Sequence, residues 1–385
     1  MQQWARFAIL GAMFVTAYLL ILAWQKDYGN AATAPQQQAA AVSSHEVSAD
    51  LPNAKNATVA SDVPQANIAQ SQTTDATAPV NQQLISVQTD LYHIWINPKG
   101  GDIVRIELLS HDKSKDSDQP FVMLENDAKR TYVAQSGLIG LNGPDSSRGG
   151  RPLYAVEKTS YTLADAKGVQ DQKGQSEKVL NVPMVFKTPE GVEIIKTFTF
   201  TQGQYPIVVK HQVINRSQQS WQGQMFGQLK RDNSEDPGKS SQGIFTLGTF
   251  LGGAWGTPDA HYNKLKFANF SEEKVNTEAK GGWVAIVQHY FVSAWIPGNL
   301  KLTQANGQPY VAKLESRQSA DHMNIIGFTS PVINVPAGTS MEVDAKLYSG
   351  PKVQSELKDL AVGLNQTVDY GWLWPIAKLL FLGLQ

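Results

Sequence analysis

The sequence predicts a mainly β protein: a large antiparallel β-sandwich of two sheets, with an apolar helix before it and short helices after it. Alternation of apolar and polar residues begins at Leu84 and recurs to about residue 350, which is the period of strands with one buried face. Clusters of Gly, Pro and Asn separate these runs, and no amphipathic helix of crossover length lies between them. The pattern therefore favours antiparallel sheets over a parallel α/β fold.

Bulk composition excludes several classes of function. The chain has 385 residues, of which 42% are hydrophobic and 17% are charged, so it can bury a substantial core. Its net charge is −1 at pH 7, without the basic surplus of nucleic-acid-binding proteins, so nucleic acid is not an expected partner. The absence of cysteine excludes disulfides, a thiol nucleophile and thiolate metal ligands, and it leaves the redox compartment open.

Residues 1–27 are expected to form a transmembrane anchor. An uncharged stretch from Phe7 to Trp24 would span about 27 Å as a helix, close to the hydrocarbon thickness of a bilayer. Arg6 precedes it, which favours an amino terminus in the cytoplasm and the rest of the chain outside. The alternative is a cleaved signal peptide ending near residues 30–32, although the apolar stretch is longer than a signal core. The residues assigned to the anchor are Phe7, Leu10, Phe14, Leu19, Leu20 and Trp24.

Residues 28–83 are expected to be a disordered tether. Ala, Gln, Ser, Thr, Asn and Pro dominate this segment, and aromatic residues are nearly absent from it. Such a composition cannot bury enough apolar surface to offset the entropy lost on ordering. A flexible chain of this length has an r.m.s. reach on the order of 40 Å, so the connection between anchor and β body is expected to be loose.

Residues 84–350 are expected to form the β-sandwich. The first stretch, LISVQTDLYHIWINPKGGDIVRIELLSH, contains two alternating strands around a turn at Pro98–Asp102, whose glycines tolerate positive φ. A meander with turns at Pro189–Gly191 and Gln202–Gln204 continues the pattern. The segment is too long for one immunoglobulin-sized sandwich, so a larger two-sheet structure is expected.

Residues 351–367 are expected to form a short helix and a linker. Val353, Leu357, Leu360 and Ala361 recur at helical spacing and share one face of that helix. The linker leads from this helix into the apolar carboxyl-terminal segment.

Residues 368–385, VDYGWLWPIAKLLFLGLQ, are expected to form an interfacial helix at a membrane surface. The apolar part would be roughly 20 Å long as a helix, which is too short to span a bilayer. Dense aromatic residues are typical of headgroup depth, and a lysine can extend from an apolar helix to the interface. The alternative is a core helix that folds back on the β body. The residues assigned to the interfacial helix are Asp369, Tyr370, Trp372, Trp374 and Lys378.

The stretch GGWVAIVQHYFVSAWIP (281–297) carries bulky residues on both faces of an expected strand. One interpretation is a central strand buried on both sides. The other is the floor of a groove for an extended polypeptide or another apolar ligand, because aromatic side chains offer contact area at low entropic cost. The candidate groove residues are Trp283, His289, Tyr290, Phe291 and Trp295.

The sequence predicts no catalytic residue, no metal site and no cofactor. His289 is the best single candidate for a catalyst because its neighbours are aromatic, but no carboxylate lies at a spacing that suggests a partner. His93, His211 and His322 lie in strand-like sequence, where a histidine ordinarily occupies a solvated face. The sequence contains no HxxxH or HxH motif and no Asp-rich calcium loop.

Several stretches, in order along the chain, resemble the amino-terminal part of the YidC membrane protein insertases of Gram-negative bacteria. The most specific stretches are GGWVAIVQHYFVSAWIP (281–297) and TVDYGWLWPIAKLL (367–380). The Gly-Gly turn at 100–101 alone would be weak evidence for the resemblance. The other matching stretches are the anchor with its Gln/Ala/Thr-rich tether, NPKGGDIVRIEL (97–108), GLNGPDSS (140–147), GRPLY (150–154) and FGQLKR (226–231).

The resemblance implies a first transmembrane helix, a large periplasmic β-supersandwich related to the galactose mutarotase fold, and an interfacial helix. It implies a place in the bacterial inner membrane, with the amino terminus cytoplasmic and the main domain periplasmic. The implied function is that of an insertase and chaperone that assists insertion and folding of inner-membrane proteins. The resemblance does not imply an enzyme. The implied partners are the lipid bilayer, nascent inner-membrane proteins and Sec translocon components.

The chain departs from the family pattern in one respect. In the family, a core of transmembrane helices with a polar groove follows the interfacial helix, and no further stretch of this sequence is long and apolar enough to supply that core. The chain therefore resembles a truncated insertase, expected to act as anchor, spacer and periplasmic docking surface. The alternative is a membrane-anchored periplasmic carbohydrate-binding or epimerase-like β-sandwich protein, which rests on the implied fold alone.

Overall fold

The computed structural model describes Pro64 and residues 83–368, with gaps at 115–116, 148–149, 171–173, 175, 238–249 and 299–310. The expected anchor, almost all of the tether and the expected interfacial helix lie outside the described residues. Among the described residues, no helix combines the length and the apolar character that crossing a bilayer requires.

Strands dominate the described chain. In chain order they are β1 (Ile85–Gln88), β2 (Tyr92–Asn97), β3 (Asp102–Asp112), β4 (Pro120–Asn126), β5 (Thr131–Ile139), β6 (Ser160–Thr162), β7 (Lys167–Gln170), β8 (Ser176–Lys187), β9 (Val192–Thr201), β10 (Ile207–Asn215), β11 (Trp221–Arg231), β12 (Gly252–Gly256), β13 (Asn263–Lys266), β14 (Asn276–Ala279), β15 (Trp283–Val287), β16 (Phe291–Pro297), β17 (Ala312–Gln318), β18 (Asn324–Thr329), β19 (Ile333–Val335) and β20 (Ser340–Pro351). They are accompanied by the helix α1 (Gln354–Leu360) and by 3-10 turns at Pro144–Ser146, Leu163–Asp165, Phe267–Asn269 and Leu364–Thr367.

The strands form two sheets. The first sheet has the order β14-β17-β18-β11-β5-β4-β3-β2-β1-β6, with β19 also paired to β11. The second has the order β13-β12-β15-β16-β20-β10-β9-β8-β7. The pairing of β1 with β6 is parallel, and the other pairings between described strands are antiparallel. The prediction of a mainly β protein with antiparallel sheets is therefore confirmed.

Alternation explains how the strands bury one face. On β9, Val192, Ile194, Phe198 and Phe200 occupy inward positions and are buried, and β10 repeats the same pattern beside it. Buried side chains from both sheets belong to one hydrophobic cluster. The core therefore lies between the two sheets.

The hairpin of β15 and β16 is buried on both faces. Residues 283–290 do not form the single strand that the sequence suggests, because β15 ends at Val287, which pairs with Val292 of β16. The backbone N–H of Gln288 closes the turn by donating to the Phe291 carbonyl oxygen over 2.9 Å. A short turn thus separates two core strands.

The carboxyl-terminal elements pack onto the same core. Leu357 of α1 and Leu364 of the following 3-10 turn are both buried in it. Gly363 between them has a φ of +81°, a left-handed conformation that suits glycine. The Nζ of Lys352, just after β20, donates to the carbonyl oxygen of Thr367 over 3.1 Å. This bond ties the end of the described chain to the end of the last strand.

Candidate functional site

A charged network occupies the interior between the two sheets, and Lys196 is at its centre. Its Nζ donates hydrogen bonds to the carbonyl oxygens of Gly100 (2.9 Å), Gly101 (2.8 Å) and Ser136 (2.8 Å). The lysine belongs to β9 in the second sheet, whereas the carbonyls belong to the β2–β3 turn and to β5 in the first. The wholly buried lysine therefore joins the two sheets.

Strand register explains why Lys196 points inward. Ile194 and Phe198, two positions away on either side of it along β9, are core residues, so Lys196 occupies a position that alternation normally gives to an apolar side chain. His211 on β10 lies directly opposite Lys196 in the ladder and is also wholly buried. Two titratable side chains thus replace apolar ones on the inner face of the second sheet.

The first sheet and a neighbouring loop supply the counter-charges. Two nitrogens of Arg151 contact the Asp102 carboxylate at 3.0 Å and 2.9 Å, and its Nε donates to Asp145. Arg151 also donates, over 3.0 Å and 2.8 Å, to two of the carbonyl oxygens that Lys196 contacts. Asp145 accepts a 2.8 Å bond from the backbone N–H of Leu138. Two cations therefore face two carboxylates.

Burial shifts the ionisation of this network. Burial lowers the pKa of Lys196 to about 7, against the raising effect of Asp102. Burial also raises the pKa of Asp145, against the lowering effect of Arg151. The three carbonyl acceptors match the three donors of an ammonium group, so the hydrogen bonds stabilise the charged lysine that burial disfavours.

Two glycines let the backbone approach the cations. Gly100 and Gly101 have φ of +78° and +63°, in the left-handed region. A Cβ atom at Gly100 would lie 2.6 Å from the guanidinium carbon of Arg151. One at Gly101 would lie 2.8 Å from the Met184 methyl group and 2.9 Å from the Lys196 side chain. The side chains of Arg151 and Lys196 therefore both pack against the glycine turn that the sequence predicts.

His211 is buried, and neither ring nitrogen has a hydrogen-bond partner in the described part of the chain. Burial, with the nearby charges of Lys196 and Arg151, lowers its pKa well below the ordinary histidine value. The expectation that His211 occupies a solvated strand face is wrong, because the register of β10 places it on the inner row. The buried hydroxyl of Tyr154 likewise has no partner among these residues.

A second buried cation, Arg231, lies at the end of β11. It contacts the Asp236 carboxylate at 2.6 Å, and its guanidinium carbon lies 4.9 Å from the centroid of the Tyr132 ring. The side-chain amide of Gln288 donates to the same Asp236 oxygen over 2.7 Å. Because Gln288 begins the β15–β16 turn, this cluster fixes the base of that turn against the end of β11.

The two networks are structural in character. A general acid or base must lie within hydrogen-bonding distance of its substrate. The charged side chains of these networks are largely buried, so a substrate in solvent does not reach them. In the described ranges, no group of three or more His, Cys, Asp or Glu side chains is placed to hold a metal ion. The arrangement binds the sheets to each other.

The structure separates the five candidate groove residues. Trp283, Phe291 and Trp295 are buried in the core, and the indole N–H groups of the two tryptophans donate to backbone carbonyl oxygens over 2.9 Å and 3.1 Å. His289 and Tyr290 are exposed at the β15–β16 turn. The five side chains therefore do not line one surface, and a ligand can reach only the two at the turn without rearrangement of the core.

The other predicted site residues lie outside the described residues. Their assignments to an anchor and to an interfacial helix stay predictions. They are Phe7, Leu10, Phe14, Leu19, Leu20 and Trp24 in the first segment, and Asp369, Tyr370, Trp372, Trp374 and Lys378 in the last.

Sequence reasoning missed the charged network, although several of its residues lie in stretches that carry the family resemblance. The stretch 97–108 contributes the glycine turn and one aspartate, 140–147 the second aspartate, and 150–154 the arginine. A lysine at an inward position of the alternating strand 192–201 was the available signal. Its partners could not be found from spacing because they come from distant parts of the chain.

The fold and its interior networks define a class of protein: a two-sheet antiparallel β domain whose buried charges bind its own sheets together. Comparison with known families makes the assignment specific. The YidC periplasmic domain family matches residues 84–382, and the chain belongs to that family.

Full-length relatives extend the similarity beyond this domain. Membrane protein insertase YidC of Pseudomonas putida strain GB-1 is 41% identical over 381 residues, covering 99% of this chain and 64% of that protein. The protein of the same name from Marinomonas sp. strain MWYL1 is 41% identical over 379 residues, covering 98% of this chain and 64% of that protein. The chain therefore spans 64% of the length of these relatives.

Two solved structures give distant matches. A galactose mutarotase related enzyme from Lactobacillus acidophilus matches with a TM-score of 0.41 and 10% identity, covering 69% of this chain and 97% of that one. A galactose mutarotase-like protein from Lactobacillus casei matches with a TM-score of 0.39 and 11% identity, covering 69% of this chain and 99% of that one.

Proposed function

We propose that this chain is the membrane-anchored periplasmic part of a membrane protein insertase, which assists insertion and folding of inner-membrane proteins, alone or with the Sec translocon. The observation that carries the proposal is the 41% identity, over 99% of the chain, to a protein named membrane protein insertase. Because the chain spans 64% of that relative, the proposal assigns insertion itself to the complete protein. The β body then serves as spacer and docking surface.

The proposed topology follows from the apolar flanks of the sequence. Residues 1–27 cross the inner membrane with the amino terminus in the cytoplasm, and residues 28–83 lead to the periplasmic β body. Residues 369–385 form a helix in the headgroup layer. Support comes from the length of the uncharged stretch 7–24 and from the aromatic residues near the start of the last segment.

A rigid, non-catalytic body suits a docking role. Lys196 of the second sheet and Arg151 of a neighbouring loop both donate hydrogen bonds to the glycine turn of the first sheet, so the outer surfaces are presented on a fixed frame. An insertase has to lower the cost of moving polar backbone into lipid, which requires no covalent chemistry. Buried charges that bind the domain together are compatible with that task.

Protease protection tests the topology. In spheroplasts of a Gram-negative host, added protease should digest the β body, because the proposal exposes it on the periplasmic side. Inverted inner-membrane vesicles should protect the same body. Digestion in the inverted vesicles, or recovery of the chain in a soluble periplasmic extract, would contradict the proposed topology.

Photo-crosslinking tests the docking role. A photoreactive phenylalanine analogue at the exposed positions Leu141, Val332 or Tyr290 of the whole chain should crosslink to a ribosome-stalled inner-membrane protein in isolated membranes. A stalled precursor of a soluble periplasmic protein is the matched control and should give weaker crosslinks. Equal crosslinking to both precursors, or none from any exposed position, would reject the role.

The carbohydrate-binding alternative is not favoured, because the relatives that match nearly the whole chain are named insertases. Calorimetric titration of the detergent-solubilised chain with hexoses should therefore show no binding heat. Micromolar binding that is lost in His289→Ala would restore the alternative.

A further inference from the structure

The β15–β16 turn carries the most exposed large hydrophobic side chain of the described residues. Tyr290 is 69% exposed, and its ring centroid lies 3.9 Å from that of His289. Soluble surfaces carry single exposed apolar side chains without consequence, so exposure alone assigns no function. The support beneath the turn and its position in the fold are the informative features.

Buried side chains hold both ends of the turn in place. Gln288 is buried and hydrogen-bonded to Asp236, as described above. On the other side, the Phe291 ring stacks on Phe121 at a centroid distance of 4.2 Å and meets the His111 ring edge-on at 5.5 Å. The exposed tyrosine is therefore presented by a rigid hairpin with core packing on both sides of the turn.

The turn also lies beside the end of the described chain. The backbone N–H of Lys352 donates to the Tyr290 carbonyl oxygen over 2.9 Å, and its Nζ donates to the Thr367 carbonyl oxygen over 3.1 Å. One lysine residue therefore connects the hairpin tip to the position where the chain continues into the segment 369–385. That segment contains four aromatic residues and several leucines.

We propose that the hairpin tip at residues 289 and 290 contacts the headgroup layer of the bilayer, with the Tyr290 ring at the depth where interfacial aromatic residues lie. The inference rests on the proposed function, in which segment 369–385 lies at the membrane surface. Since Lys352 holds the tip next to the start of that segment, the tip faces the same surface. A tyrosine has an apolar ring and a hydroxyl that stays hydrated, which is the chemistry that the interface favours.

The lipid surface is the occupant that the chain's continuity supports. A protein partner is the alternative occupant, but no observation on the described residues favours it, whereas the described chain ends beside the tip and continues into an apolar sequence. The contact gives the β body a fixed orientation on the membrane, in addition to its covalent connection to residues 28–83 at its amino end.

The lack of cysteine makes a direct test possible, because one introduced cysteine is then the only attachment point for a label. Tyr290→Cys, Trp372→Cys and Val169→Cys are each made in the whole chain, labelled with the fluorophore NBD and reconstituted into vesicles that contain no other protein. Val169 is the matched control: it is 48% exposed and lies on β7, the edge strand at the far end of the same sheet. Nitroxide-labelled phospholipids then serve as quenchers.

The proposal expects quenching at residue 290 several-fold stronger than at residue 169. Residue 372 reports the proposed function separately. If the label at residue 372 is quenched while quenching at residue 290 equals that at residue 169, the hairpin inference is overturned and the proposed interfacial segment is supported. If quenching at neither residue 290 nor residue 372 exceeds that at residue 169, both the hairpin inference and the proposed interfacial segment are rejected. Quenching at 290 in these vesicles identifies lipid, since no other protein is present. Thermal unfolding of each labelled variant checks that the β body is intact.

Discussion

The Nζ of Lys196 on β9 lies 2.8 Å from the carbonyl oxygen of Ser136 on β5, so a charged side chain of one sheet is hydrogen-bonded to the backbone of the other. The two sheets of a sandwich usually meet through apolar side chains. Here a polar contact also fixes the position of one sheet relative to the other, because an ammonium group that leaves its three acceptors is buried without partners.

Substitution of Lys196 by methionine should lower the free energy of unfolding by about 3 kcal/mol, because it leaves the Gly101 carbonyl without its donor and removes a positive charge near Asp102. Lys210→Met on the adjacent strand is the control. Lys210 is partly exposed and pairs with Glu342, so its loss should cost less than about 1 kcal/mol. Urea unfolding of the detergent-solubilised chains, followed by far-UV circular dichroism, measures both. Similar losses in the two variants would reject the role of Lys196.

His211→Leu should leave the stability near neutral pH unchanged or raised, because neither imidazole nitrogen makes a hydrogen bond in the described structure. The variant should also gain stability relative to the wild type on acidification. Burial holds the folded-state pKa of His211 well below that of the unfolded chain. The unfolded state therefore binds the proton first, and the wild type loses up to about 1.4 kcal/mol for each pH unit below about 6.5.

Thermal midpoints at pH 7.5 and pH 5.5 measure this difference. The acid-induced drop in the midpoint should be smaller in His211→Leu than in the wild type. An equal drop in the two proteins would show that folding does not lower the pKa of His211.

Gly100→Ala should be more destabilising than Gly203→Ala. Both glycines have left-handed φ, +78° and +74°, so each alanine incurs a similar backbone strain of about 1–2 kcal/mol. A Cβ atom at Gly203 meets nothing within 4 Å, whereas one at Gly100 displaces the Arg151 guanidinium. We expect a further loss of about 2 kcal/mol at Gly100, measured by urea unfolding. Equal effects would mean that the arginine adjusts without cost.

Trp295→Ala and Tyr290→Ala distinguish core from surface along the β15–β16 hairpin. Trp295 is buried, so its truncation should cost about 3–5 kcal/mol. Tyr290 projects from the turn, and its truncation should change the stability by less than about 0.5 kcal/mol. Thermal unfolding measures both. A large loss in Tyr290→Ala would show that the tyrosine packs against the body rather than facing outward.

Local sequence patterns were sufficient for the architecture. The alternation along β9 and β10 and the glycine turn at 100–101 predicted antiparallel strands and a hairpin, because strand period and positive φ are properties of neighbouring residues. The pattern failed where a turn had no such marker. The turn at 288–290 contains no glycine or proline, so the sequence resembled one continuous strand.

The charged network could not be assembled from local patterns. Lys196 and Arg151 meet the same carbonyl oxygens from different elements, and only the tertiary fold brings them together. A propensity argument places polar side chains outside, which is why the sequence predicts a solvated face for His211 although its position lies on the inner row. Local sequence also does not show how the aromatic residues of one stretch are divided: Trp283, Phe291 and Trp295 lie in the core, and Tyr290 lies at the turn.

The position of β20 has a consequence for biogenesis. β20 is the last strand in the chain, yet it lies between β16 and β10 in the second sheet. Synthesis delivers the polypeptide from its amino end, so β7–β10 form one half of this sheet and β12, β13, β15 and β16 form the other, and each half has an open edge where β20 belongs. Neither can close before residues 340–351 arrive. This sheet is thus completed only after residues 340–351 have been synthesised, and factors that shield open strand edges matter until then.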